Sequence, residues 1–309
     1  MRAYLVYHKE EAVKNQRFVS LFVKAGRESG IEFSYVPYEN YREEELPDLV
    51  LNRTRDAKVS RWYEERQVPV FHSSHITEIG NHKGKTLDFL RGRLPKEVLQ
   101  TKWAPETVPI SKERLAKWQS ALSAGDFEAL HELKSFQEQG KPFVIKSVDG
   151  HGGSEVLSFL PPAKPGRRDV PDKYCENLSQ RLKVLSGKDC ILQEMVPSHS
   201  RDIRVYIVGN QIYQAMMRQG QNDFRSNASL GGRTEVYSLS EAEKNYAGYF
   251  LRAFEGEILG LVGLDFILAE DGRLVFNELE EMVGCRMLYQ HTDRDIVRDY
   301  VGWLEDCTR

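Results

Sequence analysis

The segment from Gly260 to Glu281 constrains this chain more than any other. Gly260 to Ala269 and Leu274 to Glu281 are apolar-rich runs on either side of Glu270-Asp271-Gly272-Arg273. An Asp-Gly pair between two such runs is a strong hairpin signal. A two- or four-residue loop gives one and the same register, with Asp265 directly opposite Glu278. Side chains paired across antiparallel strands share a face of the sheet, so two carboxylates would stand about 5 Å apart and repel. Glu280, two residues on, shares the face of Glu278. The repulsion calls for positive charge, which a divalent cation or a cluster of nearby arginines would supply. A three-residue loop would shift the register and break the Asp265–Glu278 pairing.

The 309 residues suit two or three subdomains rather than one core, and 40% apolar with 29% charged residues is ordinary for a globular enzyme. A net charge of -3 leaves no electrostatic footprint for general nucleic-acid binding. Cys175, Cys190, Cys285 and Cys307 lack metal-type spacing, which argues against a zinc site or disulfide framework and fits a reducing cytoplasm. The first apolar run is too short for a signal peptide, and no stretch reaches the length of a membrane span.

In chain order, a strand at residues 3–8, a helix from Glu11 to Glu28 stopped by Gly30, strands at 31–37 and 47–53, a helix from Asp56 to Gln67 and a strand at 68–72 read as a small α/β domain with a largely parallel sheet. Asn52 and Arg53 fall just past a strand's carboxyl end, where open α/β sheets bind ligands. Ile76 to Arg91 read as helical and carry Lys83 and Lys85. From Ser111 to Gln139, Leu115, Trp118, Leu122, Leu130, Leu133 and Phe136 recur at roughly helical spacing as packing residues, with Gly125 and Asp126 dividing two helices.

Val144-Ile145-Lys146 leads into Gly150-His151-Gly152-Gly153 and a returning strand. Glycines let backbone N–H groups approach an anion and the lysine adds a point charge, though neither common phosphate motif is present. Pro161 to Lys173 is a proline-rich basic loop, and Cys190 to Pro197 a buried strand. Asp202 to Val208 and Gln211 to Arg218 flank a Gly209-Asn210 turn, which sets Arg204 and Arg218 nearly opposite. Arg225 and Asn227 follow on a polar loop. These arginines, close in sequence to an acidic hairpin, argue for an anionic ligand clamped by guanidinium forks and a metal. Ser240 to Glu243 is a capping box, and a final amphipathic helix begins at Thr292 or Asp293.

Taken in order, Asn52-Arg53, Lys83-Gly84-Lys85, Val144-Ile145-Lys146, Gly150, Gly153, Gln193-Glu194, Asp202-Ile203-Arg204, Arg218, Arg225 to Asn227, Gly263-Leu264-Asp265 and Glu278-Leu279-Glu280 resemble the ATP-grasp superfamily, and within it the RimK-like amino-acid ligases. The resemblance covers most of residues 47–285. It implies an α/β (α+β) fold of three subdomains, placed at 1–76, 77–186 and 187–309, with ATP between the central and C-terminal ones. Lys83 and Lys146 would contact phosphates, Lys85 being the rival of Lys83. Gly150, Gly152 and Gly153 would form a lid, and Gln193, Glu194, Met195 and Val196 the strand that binds adenine. Asp265, Glu278 and Glu280 would hold one or two magnesium ions, with manganese as a substitute. Arg204, Arg218, Arg225 and Asn227 would hold the reacting carboxylate and the developing charge, with Asn52, Arg53 and Arg286 towards the substrate.

The implied reaction is ATP-dependent joining of a carboxylate to an amine, amino acids or a peptide among them, through an acyl phosphate. A small-molecule kinase and a non-catalytic ATP-binding regulator are the alternatives, and a homo-oligomer is compatible with either. Three departures stand out. Glu280 replaces the asparagine usual in the metal motif, Glu155 stands where the lid often has a further glycine, and Arg286 is brought towards the site.

Overall fold

The computed structural model describes residues 1–138, 140–160, 172–221 and 232–308. Three sheets carry the architecture. The first consists of β1 (Arg2–Tyr7), β2 (Glu32–Pro37), β3 (Leu49–Asn52) and β4 (Val70–Phe71), all parallel in the order β2-β1-β3-β4. The helix expected over 11–28 is two helices, Lys9–Lys14 and Gln16–Glu28, parted at Asn15. Gly30, at φ +70°, turns the chain out of the second.

The second sheet is antiparallel, β5 (Thr107–Ile110), β6 (Phe143–Ser147), β7 (Val156–Phe159) and β8 (Cys190–Glu194), in the order β5-β8-β6-β7. One side is covered by helices Lys112–Ser123, His131–Glu138 and Asp172–Leu182, whose Trp118, Leu122, Leu133 and Leu178 pack on Phe143 and Ile145. Gly125, at φ +73°, separates the first of these helices from the short turn of helix that precedes the second.

The third sheet contains β9 (Arg201–Val208), β10 (Gln211–Gln219), β11 (Arg233–Tyr237), β12 (Leu261–Leu268) and β13 (Leu274–Glu280), antiparallel in the order β11-β10-β9-β12-β13. Its back face, with Ile203, Val205, Val262, Leu264 and Phe266, packs on Phe250 of helix Glu241–Ala253 and on Ile76, Leu87 and Leu90. Ser240 and Glu243 close the capping box at the start of that helix.

Packing runs across the expected divisions of the chain. β8 bonds to β5 and β6 in the central sheet, whereas helices Ser74–Gly80 and Lys83–Arg91 lie behind the third sheet. The last helix, Ile296–Thr308, docks Ile296, Tyr300 and Leu304 beside Leu5 and Phe22, completing the core of the first sheet. Among the described residues no helix is long and apolar enough to cross a membrane.

Candidate active site

Two β-bulges decide which side chains reach the front face of the third sheet. The turn after β12 is the three-residue one, because Ala269 and Arg273 are joined by a backbone hydrogen bond of 2.9 Å and Gly272 sits at φ +84°. That turn pairs Leu268 with Leu274 and Phe266 with Phe276, a register that by itself would leave Glu278 on the back face. Asn277 is the extra residue that corrects it, so Asp265 faces Glu278 and Gly263 faces Glu280. The expected pairing is present, reached by a different turn plus a bulge. In the β9–β10 hairpin, Gly209 and Asn210 both have positive φ, and the register shifts at Tyr213. Met216 then opposes Arg204 and Arg218 opposes Asp202, which puts both arginines on one face. Without that extra residue Arg218 would fall on the other.

The acids on this face have different company. Asp265 is fully buried and accepts from Arg204 Nε and Nη2, each at 2.7 Å, and from Arg218 Nη2 at 2.6 Å. Arg218 also forks onto Asp202 at 2.7 and 2.5 Å. Burial alone would raise the Asp265 pKa, and the two guanidiniums outweigh it and hold it at about 2. The cluster of arginines therefore surrounds Asp265. Among the described residues Glu280 receives only Arg204 Nη2, at 3.2 Å, and Glu278 lies 3.8 Å from Lys83 Nζ. Burial raises the Glu280 pKa; the charges of Glu278 and Asp265 add to that rise against the pull of Arg204.

From the opposite side come the lysines. Lys146, on β6, is buried and donates to Asn277 Oδ1 at 3.0 Å, so the bulge residue ties the second sheet to the third. Burial lowers its pKa to about 8, with Glu278 opposing and Lys83 assisting the shift. Lys83 donates to Gly150 O at 2.6 Å. Lys85 pairs instead with Glu78 on the surface. Gly152 and Gly153 have φ of +68° and +79°, conformations open to glycine, and a Cβ at Gly150 would collide with Ser147 Oγ. Glu155 bonds Ser147 Oγ at 2.5 Å and pairs with Lys188, pinning the returning strand to the sheet.

These groups enclose one cavity of about 440 Å³ between the second and third sheets. Lys83, Lys146, Gly150, Gly152 and Gly153 form its roof. Gln193, Glu194, Met195 and Val196 form a side wall, where Gln193 Nε2 donates to Thr107 Oγ1 at 2.8 Å and the Met195 N–H donates to Pro142 O at 2.9 Å. Arg204, Arg218, Glu278, Glu280 and Arg286 line the remainder. Among the described residues, no three His, Cys, Asp or Glu side chains converge as a metal-binding group. The carboxylates of the expected metal set that open on the cavity are Glu278 and Glu280; Asp265 lies behind its arginines.

Asn52 and Arg53 are buried away from the cavity. Asn52 uses its amide within its own turn, and Arg53 donates to Tyr7 Oη at 3.2 Å and Val283 O at 3.3 Å while lying over the Phe18 ring. Arg225 and Asn227 lie outside the described residues, as does most of the basic loop at 161–173. His151, Arg201, Asp202 and Asn277 also line the cavity, and none of them carries an expected site role. The available signal for Asn277 was two successive polar residues breaking the alternation of a strand.

A family model, the RimK-like ATP-grasp domain, matches residues 110–304, well over half of the chain. The chain belongs to the RimK-like ATP-grasp family. A probable alpha-L-glutamate ligase of Haemophilus influenzae is 34% identical over 187 residues, 60% of this chain and 56% of that protein. A ribosomal protein bS6–L-glutamate ligase of Escherichia fergusonii is 28% identical over 167 residues, 54% of this chain and 51% of that protein. The chain thus spans about half the length of the curated relatives it matches. A solved D-cycloserine synthetase superposes with a TM-score of 0.70 at 13% identity, covering 99% of this chain and 100% of that one, which speaks for the fold alone. The ATP-grasp fold accordingly extends over the first sheet as well, beyond the residues of the RimK-like match.

Proposed function

We propose that this RimK-like chain is an ATP- and magnesium-dependent ligase that joins a carboxylate to an amine through an acyl phosphate, releasing ADP and phosphate. The observation that carries the reading is the convergence of Lys83 and Lys146 from one side, and Glu278 and Glu280 from the other, on one cavity under a glycine turn. The donor set fits magnesium, which is held by one or two carboxylates together with substrate phosphates. Glu280, whose pKa burial raises and the charges of Glu278 and Asp265 raise further, gains from a cation there. Bound magnesium would neutralise charge on the transferring phosphoryl group. A metal role for Asp265 would require Arg204 or Arg218 to release one of its oxygens.

In this reading Lys146 and Lys83 orient the phosphates and the N–H groups of Gly150 to Gly153 cover them. Gln193 to Val196 hold the adenine along the edge of β8. Arg204 and Arg218 use Nε and Nη2 on the acids behind them; among the described residues neither Nη1 has a partner, and both guanidiniums line the cavity. They would steady the carboxylate that attacks the γ-phosphate, then the tetrahedral centre formed when the amine attacks the acyl carbon. Arg225 and Asn227 are proposed for the same task, and Arg286 for substrate choice. Given the names of the relatives, L-glutamate is the first amino acid to try. Glu280 in place of the usual asparagine argues against copying that substrate without a test.

The test is an ADP-release assay over pairs of amino acids, with mass spectrometry of the products. ADP and phosphate should appear only with both a carboxylate and an amine present. AMP with pyrophosphate, or a phosphorylated product formed without an amine, would overturn the reading.

A further inference from the structure

The turn after β3 presents a guanidinium that the site described above does not use. Asn52 Oδ1 accepts from the Thr54 N–H at 3.0 Å and the Thr54 hydroxyl at 2.7 Å, and Asn52 Nδ2 donates to Asp56 O at 3.0 Å. The Asp56 N–H in turn donates to Thr54 Oγ1 at 3.1 Å. The turn so locked holds Arg55 at φ +63°, a left-handed conformation that a residue with a Cβ seldom adopts. Outliers of this kind persist where the surroundings enforce them, and they gather at ligand sites.

Arg55 Nε is buried and, among the described residues, has no hydrogen-bond partner. Among the described residues no carboxylate stands within ion-pairing distance of the guanidinium. A buried N–H without a partner is costly and calls for an explanation. The turn abuts the cavity wall, since Arg53, two residues earlier, donates to Val283 O at 3.3 Å and Gly284, the residue after Val283, lines the cavity; the Arg55 charge reaches His151 on that lining and Glu11 of the first helix. Arg55 therefore stands at the seam between the carboxyl end of the first sheet and the cavity, beyond the groups that face the phosphates.

We propose that Arg55 is a substrate-binding residue that anchors the carboxylate of the amine-bearing substrate, the carboxylate that does not react. This rests on the ligase reading. The reacting carboxylate must lie beside the lysines and Glu278 to reach the phosphate, whereas Arg55 does not line that space. A planar guanidinium with an unused Nε matches a carboxylate by two parallel hydrogen bonds.

The experiment uses the full chain with magnesium and ATP, and presents the twenty amino acids as amine donors, each as free acid and as α-amide. Wild type should favour the acid over the amide. Arg55→Gln should raise KM for the acid on the order of tenfold to a hundredfold. It should leave KM for ATP and kcat within about threefold and bring the acid-to-amide preference close to one. Arg55→Gly, which accepts the left-handed backbone, should behave alike and guards against misfolding of the glutamine variant. An unchanged preference, or equal losses for acid and amide, would overturn the assignment and leave Arg55 a structural residue. If no donor supports ADP release in wild type, the ligase reading falls first and takes this inference with it.

Discussion

Asp265 and the pair Glu278 and Glu280 stand on one face of one hairpin, yet their surroundings are opposite. Asp265 is sealed and accepts three charged hydrogen bonds from two arginines, one of which is held in turn by Asp202. Glu278 and Glu280 keep 28% and 22% of their side-chain surface open, with one cation approaching each. A buried acid that is matched within the chain serves to fix the strands around it. Acids left short of positive charge at a cavity wall are the ones with binding capacity in hand. The largest effect that would break this contrast is on stability. Asp265→Ala leaves two buried guanidiniums without their shared acid, and thermal or urea unfolding should reveal a loss of about 3–5 kcal/mol. A variant as stable as wild type would mean that Asp202 alone suffices for both arginines.

Glu278→Gln should do the reverse. The side chain is partly open and its ion pair with Lys83, at 3.8 Å, is long, so the melting temperature should stay within a few degrees. Magnesium-dependent ADP release should fall on the order of 10²- to 10³-fold, the scale of removing one group that stabilises developing charge. Retained turnover would place the metal elsewhere.

The sequence made much of this hairpin legible, because facing pairs and alternation follow from strand periodicity alone. The Gly209-Asn210 turn and the Ser240 to Glu243 capping box were readable for the same reason: each is encoded within a few residues. Its limits are equally physical. An inserted residue such as Tyr213 or Asn277 changes no local propensity, yet it moves every later side chain to the other face. Glu278, Glu280 and Glu281 look alike as a string of acids. Glu281, however, is turned away and buried against His72 at 2.9 Å and Asn81 at 3.1 Å, partners about two hundred residues distant in the chain. In the same way the strand end marked Arg53 as the arginine for a ligand, whereas packing buries Arg53 under Val283 O and leaves the Nε of Arg55, two residues on, without a hydrogen-bond partner among the described residues. Docking of the last helix on the first sheet was invisible because amphipathicity declares that a face will be covered and not by what.

Lys146 carries the smallest and most selective effect, and it sharpens the contrast from the cationic side. Its ammonium is buried beside an amide, Asn277, and its pKa is about 8 against an ordinary 10.5. The sign follows from which state holds the proton. Below pH 8 both folded and unfolded chains are protonated at this group, and the fold bears the cost of burying the charge. Between 8 and 10.5 the unfolded chain keeps a proton that the folded one has lost, so stability contributed by this group rises with pH across that window. Activity should move the other way, because neutral Lys146 no longer attracts phosphate. In wild type, kcat/KM for ATP should fall as pH rises through about 8. The limb in kcat should lie higher, since bound phosphate favours the ammonium. Lys146→Arg, charged throughout the range, should lose the alkaline limb in kcat/KM even if its absolute activity is lower. A limb that persists at the same pH in the arginine variant would assign it to another group and remove Lys146 from phosphate binding.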